Sequence, residues 1–184
     1  NRLGCGMFRA CRRIILQWDR MIKILPPDAW QLWRKIRLEA VAQSPENFGG
    51  SWEEELQQPE AEFKKRLQNS TIFAKFAGDE VVGTVGFFIY AGTKMRHRGA
   101  IFGLYVKPEW RRHGVARKLV EAVFEHAHDK VEQVQLAVVT TNVAARGLYE
   151  SLGFTVYGED KRALRVHDAY YDEFLMLKIL REGR

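Results

Sequence analysis

Beyond Cys11 the chain contains no cysteine, and the two it has, Cys5 and Cys11, both fall in the first eleven residues. Most of the sequence can therefore form no disulfide, give no thiolate to a metal and use no cysteine nucleophile. No run approaches the roughly 18 consecutive apolar residues of a membrane span. G-x-G-x-x-G is also missing, which excludes a nicotinamide-type dinucleotide fold, and there is no internal repeat or low-complexity segment. These absences lead us to expect a cytoplasmic protein with no membrane partner and no metal.

Charge of one sign is less abundant than the total suggests. The formal charge is +6, but residues 1–20 hold five arginines and one aspartate, leaving only +2 for the remainder. Arg2, Arg9, Arg12, Arg13 and Arg20 alternate with small and apolar residues, so residues 1–20 read as a basic N-terminal extension and residues 21–184 as one domain. The near-neutral body lacks an interleaved basic and aromatic stripe, so no nucleic-acid partner is expected. With 184 residues and 46% hydrophobic content, the chain is long enough for one core of ordinary size.

A short strand is expected over 21–25. Pro26-Pro27-Asp28 then opens a helix whose Ala29, Leu32, Trp33, Ile36 and Ala40 recur at helical spacing. Ser51-Trp52-Glu53-Glu54 has the form of a capping box, and Pro59 introduces a helical piece carrying Phe63 and Leu67. Glu53, Glu54 and Glu55 read as solvated helix-start charge that could also attract an amine. From Thr71 the period changes to that of strands, over 71–77, 81–90 and 100–106. A helix over 114–128 and a strand over 134–139 follow. After Gly153 come a short strand over 154–157, a charged turn and a last strand over 170–180. Gly83, Gly86 and Gly103 lie inside strands, and a bulge near Gly103 or Leu104 would part that strand from its neighbour.

Two segments carry the chemistry. Residues 104–117, LYVKPEWRRHGVAR, run from a strand through a turn into a helix. A helix start leaves about four N–H groups without intrahelical partners and carries roughly half a positive charge, so a pyrophosphate fits there. Gly114 and Ala116 keep the backbone open, and Arg111, Arg112 and Arg117 are charged donors. Residues 137–154, AVVTTNVAARGLYESLGF, again pass from strand to helix, with Asn142 as N-cap and Gly153 at the C-terminus. Asn142 and Tyr149 are seven residues apart, which would place them along one helical face. Taken alone, the first motif is also that of a basic surface turn, Asn142 that of a cap and Tyr149 that of a half-buried aromatic.

Taken together, Arg-x-x-Gly-x-Ala at 111–116, Asn142, Tyr149 and Leu-Tyr-Glu-Ser-Leu-Gly-Phe at 148–154 resemble the GNAT superfamily of acyl-CoA-dependent N-acetyltransferases. The resemblance covers about residues 81–180. It implies a single α/β (α+β) domain with a mixed, mainly antiparallel sheet, splayed at the acyl-CoA site and flanked by helices. It implies acetyl-CoA as co-substrate. The N–H groups of Arg112, His113, Gly114, Val115 and Ala116, with the Arg117 side chain, would hold the pyrophosphate. Leu104, Tyr105 and Val106 would pair their backbone with the pantetheine arm, Asn142 would hydrogen-bond it, and Tyr149 would protonate the leaving thiolate. The acceptor would be the amine of a small molecule or peptide, and a homodimer is allowed. A non-catalytic acyl-CoA-binding sensor is the alternative, disfavoured by the presence of Tyr149.

The resemblance supplies no base. Some relatives place a glutamate five residues before the asparagine, where this chain has Ala137. His97, Glu54, Glu80, His167 and Asp172 are available by residue type, none is singled out, and deprotonation through water is the expectation.

Overall fold

The computed structural model describes residues 22–181, and the expected extension over 1–20 lies outside them. The described residues form a seven-stranded sheet flanked by helices on both faces. The elements are β1 (Ile22–Ile24), α1 (Trp30–Gln43), α2 (Trp52–Gln57), α3 (Glu60–Asn69), β2 (Thr71–Ala77), β3 (Glu80–Ile89), β4 (Arg98–Val106), α4 (Val115–Ala127), β5 (Gln133–Val139), α5 (Val143–Ser151), β6 (Thr155–Val166) and β7 (Ala169–Ile179). Short 3₁₀ turns cover Pro27–Ala29, Pro45–Asn47 and Pro108–Trp110. The strand order is β1-β2-β3-β4-β5-β7-β6, antiparallel throughout except for β4 and β5.

Alternation along β2 divides the interior in two. Phe73 joins the larger core with Val85, Phe87, Leu136, Val138, Met176 and the apolar stripe of α4, whereas Ile72 and Ala74 face the smaller core with Trp33, Ile36, Phe63 and Leu67. The stripe expected on α1 is buried at Trp33, Ile36 and Ala40, but Leu32 stays exposed.

The parallel pair is short. β4 and β5 are in register only at Arg98–Gln133, Gly99–Val134 and Ala100–Gln135, although they run on to Val106 and Val139. The cause lies on the other side of β4. Phe102 pairs with Gly86 and Tyr105 with Thr84, so Gly103 and Leu104 together oppose Val85. Gly103 takes φ +59, the left-handed value that opens such a bulge. The extra residue bends β4, and its backbone from Ile101 onward has no strand partner on the β5 side among the described residues.

Two segments differ from expectation. The charged stretch after Tyr157 is part of β6, which runs unbroken to Val166. A wide bulge absorbs it: Arg162, at φ 55, donates its N–H to Asp172 Oδ1 at 2.8 Å, and Lys161 Nζ reaches Oδ2 at 3.0 Å. The Arg162 N–H and then the Lys161 ammonium hold the Asp172 carboxyl below its ordinary range, so this carboxylate is already committed.

Glu55 is the second difference. Ser51 and Glu54 do form the capping box, but Glu55 turns inward, 4% exposed, and accepts from Arg37 Nε at 3.0 Å and Arg66 NH1 at 2.9 Å. It thus ties α1, α2 and α3 together, because a buried carboxylate is tolerated only when paired. Glu55→Ala should cost about 3 kcal/mol, the lower end for breaking a buried pair, read as a lower urea midpoint at unchanged m-value.

Candidate functional site

A cleft of about 610 Å³ opens where β4 and β5 part. Leu104, Tyr105 and Val106 line one side, Asn142, Ala144, Ala145 and Leu148 the other, and the 111–117 turn closes one end. Ser44, Asn47 and Phe48, from the end of α1 and the turn after it, lie across the opening.

The end wall is built by backbone conformation. Arg112 (φ 61) and Gly114 (φ 76) are both left-handed, and Gly114 is the N-cap of α4. For arginine that conformation is uncommon; for glycine it carries no penalty. A Cβ on Gly114 would meet no atom within 4 Å, so glycine is needed there for its φ, and the space in front of it is open. The first helical bond runs from the Lys118 N–H to the Gly114 carbonyl at 3.1 Å, which leaves the N–H groups of Val115, Ala116 and Arg117 without intrahelical acceptors. These donors, the helix dipole and the Arg112 and Arg117 side chains make the turn a binding surface for an anion.

The predicted residues fall into three groups. Leu104, Tyr105, Val106, Arg112, Gly114, Val115, Ala116, Arg117 and Asn142 all line the cleft. His113 is exposed and does not line it, so only its backbone can contribute. Tyr149 also stands apart. It is 6% exposed in the larger core, its ring edge-on to Phe154 at 5.7 Å, and its hydroxyl makes no hydrogen bond among the described residues. Burial pushes this phenol well above its ordinary value. The seven-residue spacing does not bring Asn142 and Tyr149 together at the cleft: Asn142, the N-cap, lines it, whereas Tyr149 is buried in the core.

Several side chains are occupied elsewhere. Arg111 donates from Nε to the Val106 carbonyl at 2.9 Å and lies 5.8 Å from the Tyr105 ring, latching the turn to β4. The Tyr105 hydroxyl donates to Glu39 Oε1 at 2.9 Å, so only its backbone is free for a ligand; burial first, then Glu39, raises its pKa. Arg117 reaches Ser151 Oγ at 2.7 Å, joining the start of α4 to the end of α5.

Sequence reasoning missed Asn47 and Arg37. Asn142 Oδ1 accepts from the Ala145 N–H at 3.1 Å while its amide donates to Asn47 Oδ1 at 2.9 Å, a link across 95 residues with no local signature. Arg37, 5.0 Å from the Phe48 ring, sits beside the bulge, where a Cβ on Gly103 would lie 3.4 Å from NH1.

A sheet that opens between two parallel strands, with a helix N-terminus facing the gap, defines an acyltransferase domain of the GNAT type. The chain belongs to the acetyltransferase (GNAT) family, whose sequence model matches residues 33–154. It is 34% identical over 96 residues to human N-alpha-acetyltransferase 30, covering 52% of this chain and 26% of that protein. It is 26% identical over 102 residues to the L-amino acid N-acetyltransferase AaaT of Escherichia coli strain K12, covering 54% and 62%. The chain thus spans less than two thirds of the length of either protein. Among solved structures, a GNAT-family acetyltransferase from Streptococcus pneumoniae superposes with a TM-score of 0.76 at 22% identity, covering 86% of this chain and 98% of that one. YncA from Salmonella typhimurium, solved with its cofactor acetyl-CoA, superposes with a TM-score of 0.74 at 19% identity, covering 89% and 95%.

The double role of Asn142 can be separated. Asn142→Ala should cost about 1 kcal/mol for the lost cap and more for the lost Asn47 bond, whereas Asn142→Asp keeps the cap oxygen and loses only the donor. Thermal unfolding of both variants should therefore place Asp between wild type and Ala.

Proposed function

We propose that this chain transfers an acetyl group from acetyl-CoA directly to a primary amine. The observation that carries the reading is the gap between β4 and β5 with unpaired strand backbone on one side and free helix N–H groups at its end. An extended amide-bearing arm attached to a pyrophosphate requires both, in that order. Arg112, Gly114, Val115, Ala116 and Arg117, with the His113 N–H, would hold the pyrophosphate. The freed edge of Leu104, Tyr105 and Val106 would pair with the pantetheine amides, and Asn142 would meet them from the other wall. The residues present fit this co-substrate, because the backbone N–H groups of Val115, Ala116 and Arg117 are unspent and the space before Gly114 is open.

In the reaction the amine nitrogen attacks the thioester carbonyl carbon, the C–S bond then breaks, and the leaving sulfur takes a proton. A strand N–H between Leu104 and Val106 would stabilise the developing oxyanion. Tyr149 would be the proton donor. Support comes from a buried phenol kept protonated by its surroundings, with an unpartnered hydroxyl, on the same helix whose Ala145 and Leu148 line the cleft. A sensor that only binds acyl-CoA has no use for such a group, and the anion surface alone does not separate the two readings.

The acceptor is an amine on a peptide or small molecule; the relatives named N-alpha-acetyltransferase and L-amino acid N-acetyltransferase support an amine acceptor. Among the described residues no helix is long and apolar enough to cross a membrane. We place the protein in the cytoplasm, without a nucleic-acid or membrane partner and free to form a homodimer.

Three variants test the reading. Gly114→Glu puts a negative side chain before the pyrophosphate donors and should abolish coenzyme A binding in calorimetry, while Gly114→Ala, which meets no atom, should retain it at the modest stability cost of a left-handed alanine. Tyr149→Phe should lower kcat about 10²-fold, within the range for a lost general acid, with acetyl-CoA affinity unchanged. An unaltered kcat with chemistry rate-limiting would remove Tyr149 from the reaction.

A further inference from the structure

None of the carboxylates and histidines available by residue type is a free base beside the cleft. Glu54 caps α2, and Glu80 is ion-paired to Lys107. Asp172 is held in the β6 bulge, and His97 and His167 are exposed away from the cleft lining.

Ala137 itself is informative. It is exposed in the middle of β5, although Val134, Gln135, Leu136, Val138 and Val139 around it are all buried. Strand β5 is therefore uncovered at Ala137, on the face opposite Leu136 and Val138, which belong to the larger core. Register decides what borders the opening. Ala137 pairs with Leu175 and Val139 with Glu173 across the β5–β7 ladder. Paired residues project to the same face, so Glu173 stands diagonally from Ala137 on the uncovered side, within reach for a long side chain. Val139 also leads into the cleft: its carbonyl accepts the Asn142 N–H at 2.9 Å, and Asn142 is bonded to Asn47 of the Pro45–Asn47 turn packed on β5 and β6.

We propose that Glu173 is the general base, taking over from β7 the role that Ala137 cannot perform on β5. The proposal rests on the N-acetyltransferase reading. The Glu173 carboxylate takes one proton from the bound ammonium, freeing the nitrogen lone pair. That pair forms the C–N bond, the C–S pair leaves with sulfur, and sulfur receives the Tyr149 proton. A second proton lost from nitrogen restores Tyr149 through water, and Glu173 returns its own to solvent, so one proton is released per acetyl transferred.

The surroundings suit that task. Glu173 does not itself line the 610 Å³ cleft but stands beside it, opposite the Val139 whose carbonyl holds Asn142; it is half-buried and makes no hydrogen bond or ion pair among the described residues. Burial, and then the Asp160 carboxylate opposite it on β6, hold its pKa above the ordinary carboxylate value. Tyr171 shares its face of β7, β5 presents only Val139, Ala137 and Gln135 there, and Glu46 on the 45–47 turn is hydrogen-bonded to Asn47. No cation among these groups neutralises it.

The test measures coenzyme A release against pH by the full chain with peptides bearing a free α-amine, Nα-blocked lysine, spermidine and L-amino acids. With every amine that is acetylated, the acidic limb of kcat/KM should sit at one value, above about 4.3, and should not move with the amine's own pKa. Glu173→Gln should lose that limb and at least about 10²-fold in kcat with unchanged acetyl-CoA affinity by calorimetry, and Glu173→Asp should recover part of the rate. Asp160→Asn removes a like charge and should shift the limb to lower pH. A limb that tracks the amine pKa, or a Glu173→Gln variant that keeps its rate and profile, overturns the assignment while leaving acetyl transfer intact. So does a loss of rate in Glu173→Gln matched by lost acetyl-CoA affinity, since that is a structural role. Wild-type protein that acetylates none of these amines yet binds acetyl-CoA overturns the enzymatic reading and the base with it.

Discussion

The parting of β4 from β5 after the Ala100–Gln135 pair is the constraint from which the site follows. Two parallel strands that stayed in register would spend their backbone groups on each other, leaving neither gap nor free edge. The parting begins as a one-residue insertion: Gly103, left-handed, lets β4 carry two residues opposite Val85. The other walls depend on it. Arg111 anchors the turn to the Val106 carbonyl on the bent strand, and the side of α5 bearing Ala145 and Leu148 faces it across the gap.

Stability is arranged around this opening without filling it. The larger core is shared by α4, α5 and the face of the sheet behind the cleft, so burial there supports both strands up to the point where they separate. On the other face, α1, α2 and α3 are joined through the Glu55 carboxylate and two arginines, which fixes the segment carrying Asn47 and Phe48 across the mouth. Arg37 serves twice here, holding Glu55 through Nε while its guanidinium lies against Phe48 beside the bulge.

The electrostatics are divided along the site. At the 111–117 end, helix N–H groups and arginines favour an anion. Toward the hairpin of β6 and β7, the described side chains include Glu173, whose pKa is raised by burial and then by Asp160.

Much of this was legible in the sequence because it is local. Strand and helix periods, the Ser51 capping box, the Asn142 cap and the 111–117 turn depend on residues within a few positions of one another, and apart from the continuous β6 they appear where expected. Local spacing does not decide burial: Asn142 lines the cleft while Tyr149, seven residues on, is enclosed by the larger core. Tertiary structure alone decided the rest. Glu55 reads as solvated charge until Arg37 and Arg66 arrive from two other helices, and Asn47 meets Asn142 only through folding. Glu173 gains its place beside Ala137 from the register of β5 against β7, in which a one-residue slip would send its carboxylate to the opposite face of the sheet.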